Sequence, residues 1–247
     1  MAGPTQRERL CRVLEVTPLA RATSLVRLKP QDEAPFAFRA GQYAALGFPG
    51  QPPRDYSLAS RPGDAHLDFH IRQIDETGPS AYAQAALHAG DPVRLAGPFG
   101  QAYWRQDHDG PMLLIGGGTG LAPMIAIVET ALAAGVDAPV QLYAGFQDEP
   151  DLYYEARFHD LQARYSNLSV SYVLSAPEET TVRRTGFVHL AVAEDRADFA
   201  GFKAYLAGAP VMVEAAAAML VARGLNPADI HADPFYGASD PAAVRRA

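Results

Sequence analysis

Two short stretches of the chain carry residue types and spacings that could do chemistry. The first is Gly116-Gly117-Gly118-Thr119-Gly120-Leu121-Ala122-Pro123. It follows the apolar run PMLLIGG and runs into PMIAIVETALAAG, so it reads as a strand-to-helix turn. Glycines let a backbone come close to a pyrophosphate, and the helix N-terminus offers free N–H groups and a positive dipole end. Pro123 suits a first helical position, where its missing N–H costs little. The spacing is not that of the Rossmann fingerprint, and no Lys-Ser/Thr follows to make a P-loop. A tight turn that binds nothing is the competing interpretation. The second stretch is Arg54-Asp55-Tyr56-Ser57. On a strand, positions 54 and 56 face one side and 57 the other. A cation for phosphate, an aromatic platform for a flat ring and a hydroxyl for a ring nitrogen could serve one flavin. An exposed Arg beside a core Tyr is the plain alternative.

The elements that must position these stretches change period at mid-chain. LCRVLEVTPL, TSLVRLKP, QYAALGF, RDYSLAS, LDFHIRQID and DPVRLAGPFG alternate or run apolar between Pro, Gly and Asp breaks. Six closely spaced strands of this kind predict a small antiparallel barrel. Ser80 to Leu87 reads as a short helix with Ser80 as a possible N-cap. Beyond Asp107–Pro111, PMLLIGG, VQLYAGF, LSVSYVLS, AYLAGAP and DIHADPF read as strands. Between them lie the helical runs PMIAIVETALAAG, EARFHDLQARY, HLAVAED and VMVEAAAAMLVARG. That alternation predicts a parallel α/β sheet. The expected organisation is therefore a β-barrel domain over 1–109 and a nucleotide-binding α/β domain over 110–247.

Composition narrows the chemistry. Cys11 is the single cysteine of the 247 residues, which excludes a disulfide framework, a multi-thiolate metal site and a plant-type iron–sulfur cluster. His66, His70, His88, His108, His159, His189 and His231 show no metal-ligand spacing, so no metal is expected. Ser57 lacks a G-x-S-x-G elbow, which argues against a hydrolase triad. Tyr153-Tyr154 reads as packing at a helix start, with an adenine ribose contact as the lesser alternative. The net charge of −7 falls on residues 110–247, while the first 109 residues balance to zero. No basic face suggests nucleic acid. Residues 111–128 are uncharged, but the glycine cluster and Pro123 would break a membrane helix. The start, MAGPTQRERLCR, has no apolar signal core, so a cytoplasmic location is expected.

The ordered series RDYSLAS, HIRQ, Ser80 after a glycine-bearing loop, GDPVRLAGPFG, LLIGGGTGLAPMIAIV, LYAGF and YLAGAPVMV resembles the ferredoxin–NAD(P) reductase family over nearly the whole chain. The likeness is greatest to the reductase components of bacterial aromatic-ring oxygenases. The resemblance implies an FAD held by the barrel and a hydride taken from NAD(P)H. It implies that Arg54 contacts the FAD pyrophosphate, Tyr56 stacks on the isoalloxazine and Ser57 hydrogen-bonds near flavin N5. His70, Ile71 and Arg72 would line the ribityl and phosphate path. Gly78 and Ser80 would belong to a loop and short helix at the pyrophosphate. Gly117, Gly118, Thr119, Gly120, Leu121 and Ala122 would hold the dinucleotide pyrophosphate, with Gly145 and Phe146 on its adenosine side. Gly208, Ala209 and Pro210 would border the nicotinamide, and Phe235 or Tyr236 would cover the flavin face where it docks.

Three features depart from the family pattern. Asp75-Glu76-Thr77-Gly78-Pro79 stands where a Gly-Gly loop is usual, Ala207 where a Cys is usual and Ala209 where a Pro is usual. The role of the tail Gly237 to Ala247 is open. The acceptor implied is a separate redox protein, a ferredoxin or an oxygenase component. A free-flavin reductase, an FMN-binding relative and an electron-transfer subunit without its own turnover remain as alternatives. NADH is expected over NADPH, because Gln147-Asp148-Glu149-Pro150-Asp151 follows the second strand of the α/β half with no base until Arg157. Carboxylates there would repel a 2′-phosphate and could accept a ribose hydroxyl. Arg183 and Arg184 are the residues that would work against this preference.

Overall fold

The computed structural model describes residues 7–236. The tail Gly237 to Ala247 and the first six residues of the start lie outside the described residues.

The first half folds as the apolar alternation predicts. Six strands, β1 (Arg7–Ala20), β2 (Thr23–Pro30), β3 (Tyr43–Gly47), β4 (Arg54–Ser57), β5 (Leu67–Arg72) and β6 (Pro92–Phe99), pair antiparallel in the order β4-β3-β6-β1-β2-β5. The sheet curls until its two end strands meet at a bridge between Leu58 and Phe69, which makes a barrel. Val13, Val26, Leu28, Leu46, Phe69 and Leu95 fill its interior. A short helix, α1 (Pro79–Ala85), lies between β5 and β6. It starts on Pro79 with Gly78 as N-cap and has no side-chain cap, so Ser80 is not the N-cap that the sequence suggested. The positive φ of Gly78 (90°) turns the chain, and Pro79 supplies a first helical residue that needs no N–H partner. Ser80 Oγ instead accepts from the Ile74 N–H at 3.4 Å.

The second half is a parallel six-stranded sheet with helices on it. Its strands are β7 (Met112–Gly117), β8 (Val140–Phe146), β9 (Leu168–Leu174), β10 (Arg184–Thr185), β11 (Lys203–Gly208) and β12 (Ile230–Pro234), in the order β10-β9-β8-β7-β11-β12. Between them run α2 (Leu121–Ala133), α3 (Glu155–Arg164), α4 (Val188–Asp195) and α5 (Pro210–Ala222). The chain steps outward from β7 to β10 and then returns to β11 on the other side. Ligands of such sheets bind outside the strand carboxyl ends at this reversal, which is where the glycine cluster sits. A 3-10 turn over Gly118–Gly120 leads straight into α2, so Pro123 is the third helical residue and not the first.

The two sheets share a packed seam. Trp104, between β6 and β7, shares one buried cluster with Ala40 and Ala59 of the barrel half and with the core around α2. Arg21 pairs with Asp151 at 3.2 Å, and its N–H donates to the Pro150 carbonyl at 3.0 Å.

Candidate functional site

A cavity of about 1040 Å³ opens between the barrel and the carboxyl ends of the parallel strands. That is the upper end of the size range of small-molecule sites, about 300–1000 Å³. From the barrel it is lined by Arg54, Tyr56, Ser57, His70, Arg72 and Ser80. From the α/β half it is lined by Gly117, Gly118, Thr119, Gly145, Phe146, Ala209 and Phe235. Sequence positions about 180 apart are thus brought together, in keeping with the two stretches that could do chemistry.

On the barrel wall, β4 pairs with β3 so that Tyr43 opposes Ser57 and Ala44 opposes Tyr56. Ser57 is buried, and the Tyr56 ring leans on Phe48 at 6.2 Å. The Tyr56 hydroxyl is buried without a hydrogen-bond partner among the described residues, and burial pushes its pKa up to about 12. A buried hydroxyl left alone costs about 1–3 kcal/mol, so this one is suited to a ligand. Arg54 and Arg72 form no ion pair among the described residues, although both line the cavity. Two guanidinium groups in a concave site without carboxylate partners suit an anion.

On the α/β wall, the backbone itself is the surface. Gly117 pairs in register with Gly145 at the ends of β7 and β8. A Cβ on Gly117 would lie 2.5 Å from Met212 Sδ, and one on Gly145 would lie 3.2 Å from Val188 Cβ. Gly118 turns with φ of 55°, its Cβ position 3.9 Å from Arg72 Nη1. The cradle therefore exists because side chains are missing, as a close approach to a pyrophosphate requires. The residues fit a dinucleotide with a flat ring system: unpaired guanidinium groups, an orphaned phenol and a bare backbone turn.

Other expected site residues sit behind the walls. Ile71 is in the barrel core, and Leu121 and Ala122 are in the core under α2, so any part they take is through backbone. A Cβ on Gly120 would overlap the Ala207 carbonyl, which packs the turn against β11. Gly208 (φ 138°) approaches Gly117, and Pro210 opens α5. Gly78 does not line the cavity. The Phe235 N–H donates to the Gly208 carbonyl at 2.8 Å, which holds this aromatic at the cavity.

Three features were not visible in the sequence. Phe187 and His189 stack at 5.9 Å with a 13° interplanar angle and line the cavity beside Gly145. His189 Nδ1 is buried and unpartnered among the described residues. Tyr153 and Tyr154, read from sequence as helix-start packing, both bond the ring of His70. Tyr154 takes a left-handed backbone (φ 66°), which costs a non-glycine residue roughly 1–2 kcal/mol. Burial pushes the His70 pKa down to about 3, with the Arg157 charge adding to it.

Comparison with known proteins agrees with the two-sheet fold. Residues 114–218 match the oxidoreductase NAD-binding domain family. The chain is 43% identical over 222 residues to the ferredoxin–NAD(P)(+) reductase component of the naphthalene 1,2-dioxygenase/salicylate 5-hydroxylase systems of a Ralstonia species, covering 90% of this chain and 68% of that protein. The chain belongs to the ferredoxin–NAD(P) reductase family. It is an NAD-binding oxidoreductase with the two-sheet fold of that family. The Pseudomonas putida naphthalene 1,2-dioxygenase system reductase component is 40% identical over 210 residues, with 85% of this chain and 64% of that protein covered. The chain thus spans about two thirds of the length of these curated relatives. The NAD(P)H-flavin reductase of Aliivibrio fischeri is 33% identical over 215 residues, with 83% of this chain and 89% of that protein covered. Among solved structures, the Amycolatopsis cytochrome P450 reductase superposes with a TM-score of 0.90 at 36% identity, covering 97% of this chain and 73% of that one. Among the described residues no helix is long and apolar enough to cross a membrane, and no group of three or more His, Cys, Asp or Glu could hold a metal.

Proposed function

We propose that this chain is an FAD-holding reductase module that takes a hydride from NADH and passes electrons to a redox protein outside these 247 residues, such as a ferredoxin or an oxygenase component. The cavity walled by Arg54, Tyr56 and Ser57 on one side and by the glycine turn on the other carries this reading. A bound FAD supplies the hydride-accepting chemistry; the chain supplies orientation and electrostatics. Arg54 and Arg72 would hold phosphate, the Tyr56 ring would support the flat ring system, and the Ser57 hydroxyl would hydrogen-bond it. Gly117 and Gly118 would admit the nicotinamide dinucleotide, and Ala209 and Phe235 would bound its reactive end.

Preference for NADH is supported by ion pairing around the second and third parallel strands. Arg183 is held by Glu149 at 2.8 Å and by Glu155 at 2.7 Å. Arg184 is held by Glu194 and Asp195, each at 2.6 Å. The two cations that could greet a 2′-phosphate are thereby already answered by carboxylates.

The test is the absorption spectrum of the purified chain before and after anaerobic NADH, followed by turnover with each nicotinamide. A flavin spectrum bleached by NADH is expected. A colourless chain that FAD cannot reconstitute would refute the assignment, and a kcat/KM for NADPH at or above that for NADH would refute the preference. The flavin reductase relative, which the chain covers over most of its length, supports a second reading in which flavin is an exchangeable substrate. Loss of all flavin on dialysis, with retained reduction of added riboflavin, would favour it.

A further inference from the structure

His70 lies on β5 two residues before Arg72, so both face the cavity side of the strand. Unlike Arg72, it has no nitrogen to offer a ligand. Its Nε2 lies 3.2 Å from the Tyr154 hydroxyl and its Nδ1 lies 3.2 Å from the Tyr153 hydroxyl. The Tyr153 hydroxyl is also 3.1 Å from the Gly118 carbonyl oxygen.

These three contacts fix the protons. A carbonyl can only accept, so Tyr153 donates to Gly118. Tyr153 must then accept from His70, which places the ring proton on Nδ1. The bare Nε2 accepts from the Tyr154 hydroxyl. The ring is buried, and both tyrosines meet it edge-on at 5.2 and 5.1 Å. Tyr154 holds a left-handed backbone, a strain that persists where the surroundings over-determine a residue. The Gly118 carbonyl also takes the Leu121 N–H at the start of α2. One hydrogen-bonded chain therefore runs from a barrel strand, across the seam, to the carbonyl on which the glycine turn closes.

We infer that His70 is a positioning residue whose Nδ1–H, relayed by the Tyr153 hydroxyl, sets the glycine turn against the barrel and so sets nicotinamide against flavin. This rests on the function proposed above. It assigns His70 a different task from lining the flavin's ribityl path: the imidazole holds the protein's two halves in register and gives no polar atom to either ligand.

Side chains that imitate one ring nitrogen at a time test the inference. Asn at 70 can place an amide N–H near the Nδ1 position, whereas Gln reaches toward Nε2. His70→Asn is expected to keep the rate of flavin reduction by NADH close to wild type. His70→Gln and Tyr153→Phe are expected to lose about tenfold to a hundredfold, the scale of loss from slight misplacement of reacting groups, with flavin content unchanged. The double variant His70→Asn/Tyr153→Phe should be no worse than Tyr153→Phe, because the two residues act through one chain. A packing role predicts the reverse order, since Gln is the closer match in volume; Gln performing as well as or better than Asn would overturn the inference. A second measurement needs no turnover. Nitrogen NMR of the wild-type chain at neutral pH should show His70 protonated on Nδ1 and bare on Nε2. The opposite tautomer would overturn the relay, whatever the chain reduces. A wild-type chain that holds no reducible flavin would instead count against the proposed function, and the tautomer would still decide the relay.

Discussion

The two walls of the cavity are built in different ways. The barrel wall reaches in with Arg54, Tyr56, Ser57 and Arg72, whereas the α/β wall meets the same space with Gly117, Gly118 and Gly145. On the proposed reading, affinity at the first wall would come from atoms that project from a finished sheet. At the second it would come from atoms that are absent, and the same absence lets β7, β11 and α2 pack. Damage to the barrel wall should therefore be a binding defect, and damage to the other wall a folding defect as well.

Gly120→Ala is the strongest way to break that distinction. Its backbone is in the ordinary helical region (φ −61°), so conformation is not at issue. The added Cβ would overlap the Ala207 carbonyl, and backbone cannot swing aside as a flexible side chain can. Overpacking of this kind should cost about 3 kcal/mol of stability, read as a lower denaturation midpoint with an unchanged slope. An unchanged midpoint would show that the turn has room, and that the α/β wall is not defined by missing side chains.

Arg54→Ala probes the opposite wall. Loss of a charge-assisted contact should weaken FAD binding by about 1.5–3 kcal/mol, measured by titrating deflavinated protein. The denaturation midpoint of the flavin-free chain and the KM for NADH should hold. Unchanged FAD affinity would remove Arg54 from the site. If stability fell as far as in Gly120→Ala, the contrast between the walls would disappear.

At the seam, His70 makes the comparison pH-dependent. Its folded pKa is pushed down to about 3, below the unfolded value of about 6.5. As pH falls, the unfolded chain therefore takes up the proton first, and stability drops from about pH 6.5 down to about pH 3. The slope from one such proton is about 1.4 kcal/mol per pH unit. The titratable groups around the ring are Tyr153 and Tyr154, with Arg157 behind them paired to Glu129 at 2.8 Å. Neither tyrosine ionises in this window. Denaturant unfolding between pH 6.5 and 5 should show the slope in wild type and a shallower one in His70→Asn. Equal slopes would mean that His70 titrates normally and is not sealed in the seam.

What could be read from the sequence divides along similar lines. The barrel strands and five of the six parallel strands are long enough to show a period, and so are all four helices on the parallel sheet. The strand Arg184–Thr185 has two residues and no period to show. Ser80 does not cap α1 because Pro79 takes the first helical position, and Pro123 does not open α2 because the 3-10 turn starts the helix two residues before it. Within the site, Arg54 to Ser57 and Gly116 to Gly120 are legible because each is contiguous. Phe187 stacks on His189 two residues along, but the pair lies in no motif that marks it. The link between His70 and Tyr153 spans 83 residues and is a product of the two sheets meeting, which no local pattern encodes.

The finest test concerns the acids after β8. Asp148 is buried, accepting from the Glu149 N–H at 2.8 Å and the Glu178 N–H at 3.2 Å. It caps a turn, so replacing it by Arg would damage the fold before it altered cofactor choice. Glu149 is the better target. It pairs with Arg183 while both remain partly exposed, with side-chain exposures of 42% and 29%. Exposed pairs of this kind are weak and screened by salt. Hydrogen bonds from Thr181 and Arg183 hold its carboxyl below the usual range, so it stays charged near neutral pH. Glu149→Gln should release part of the hold on Arg183 and leave Glu155 to keep the rest. The ratio of kcat/KM for NADPH to that for NADH should rise only modestly, about two- to fivefold, as loosening one exposed ion pair allows. Glu149→Gln/Glu155→Gln should raise it further. If the ratio stays put in both, Arg183 does not face the ribose. The acids beyond β8 would then be a solvated turn, and the choice of nicotinamide would have to be made by the glycine wall itself.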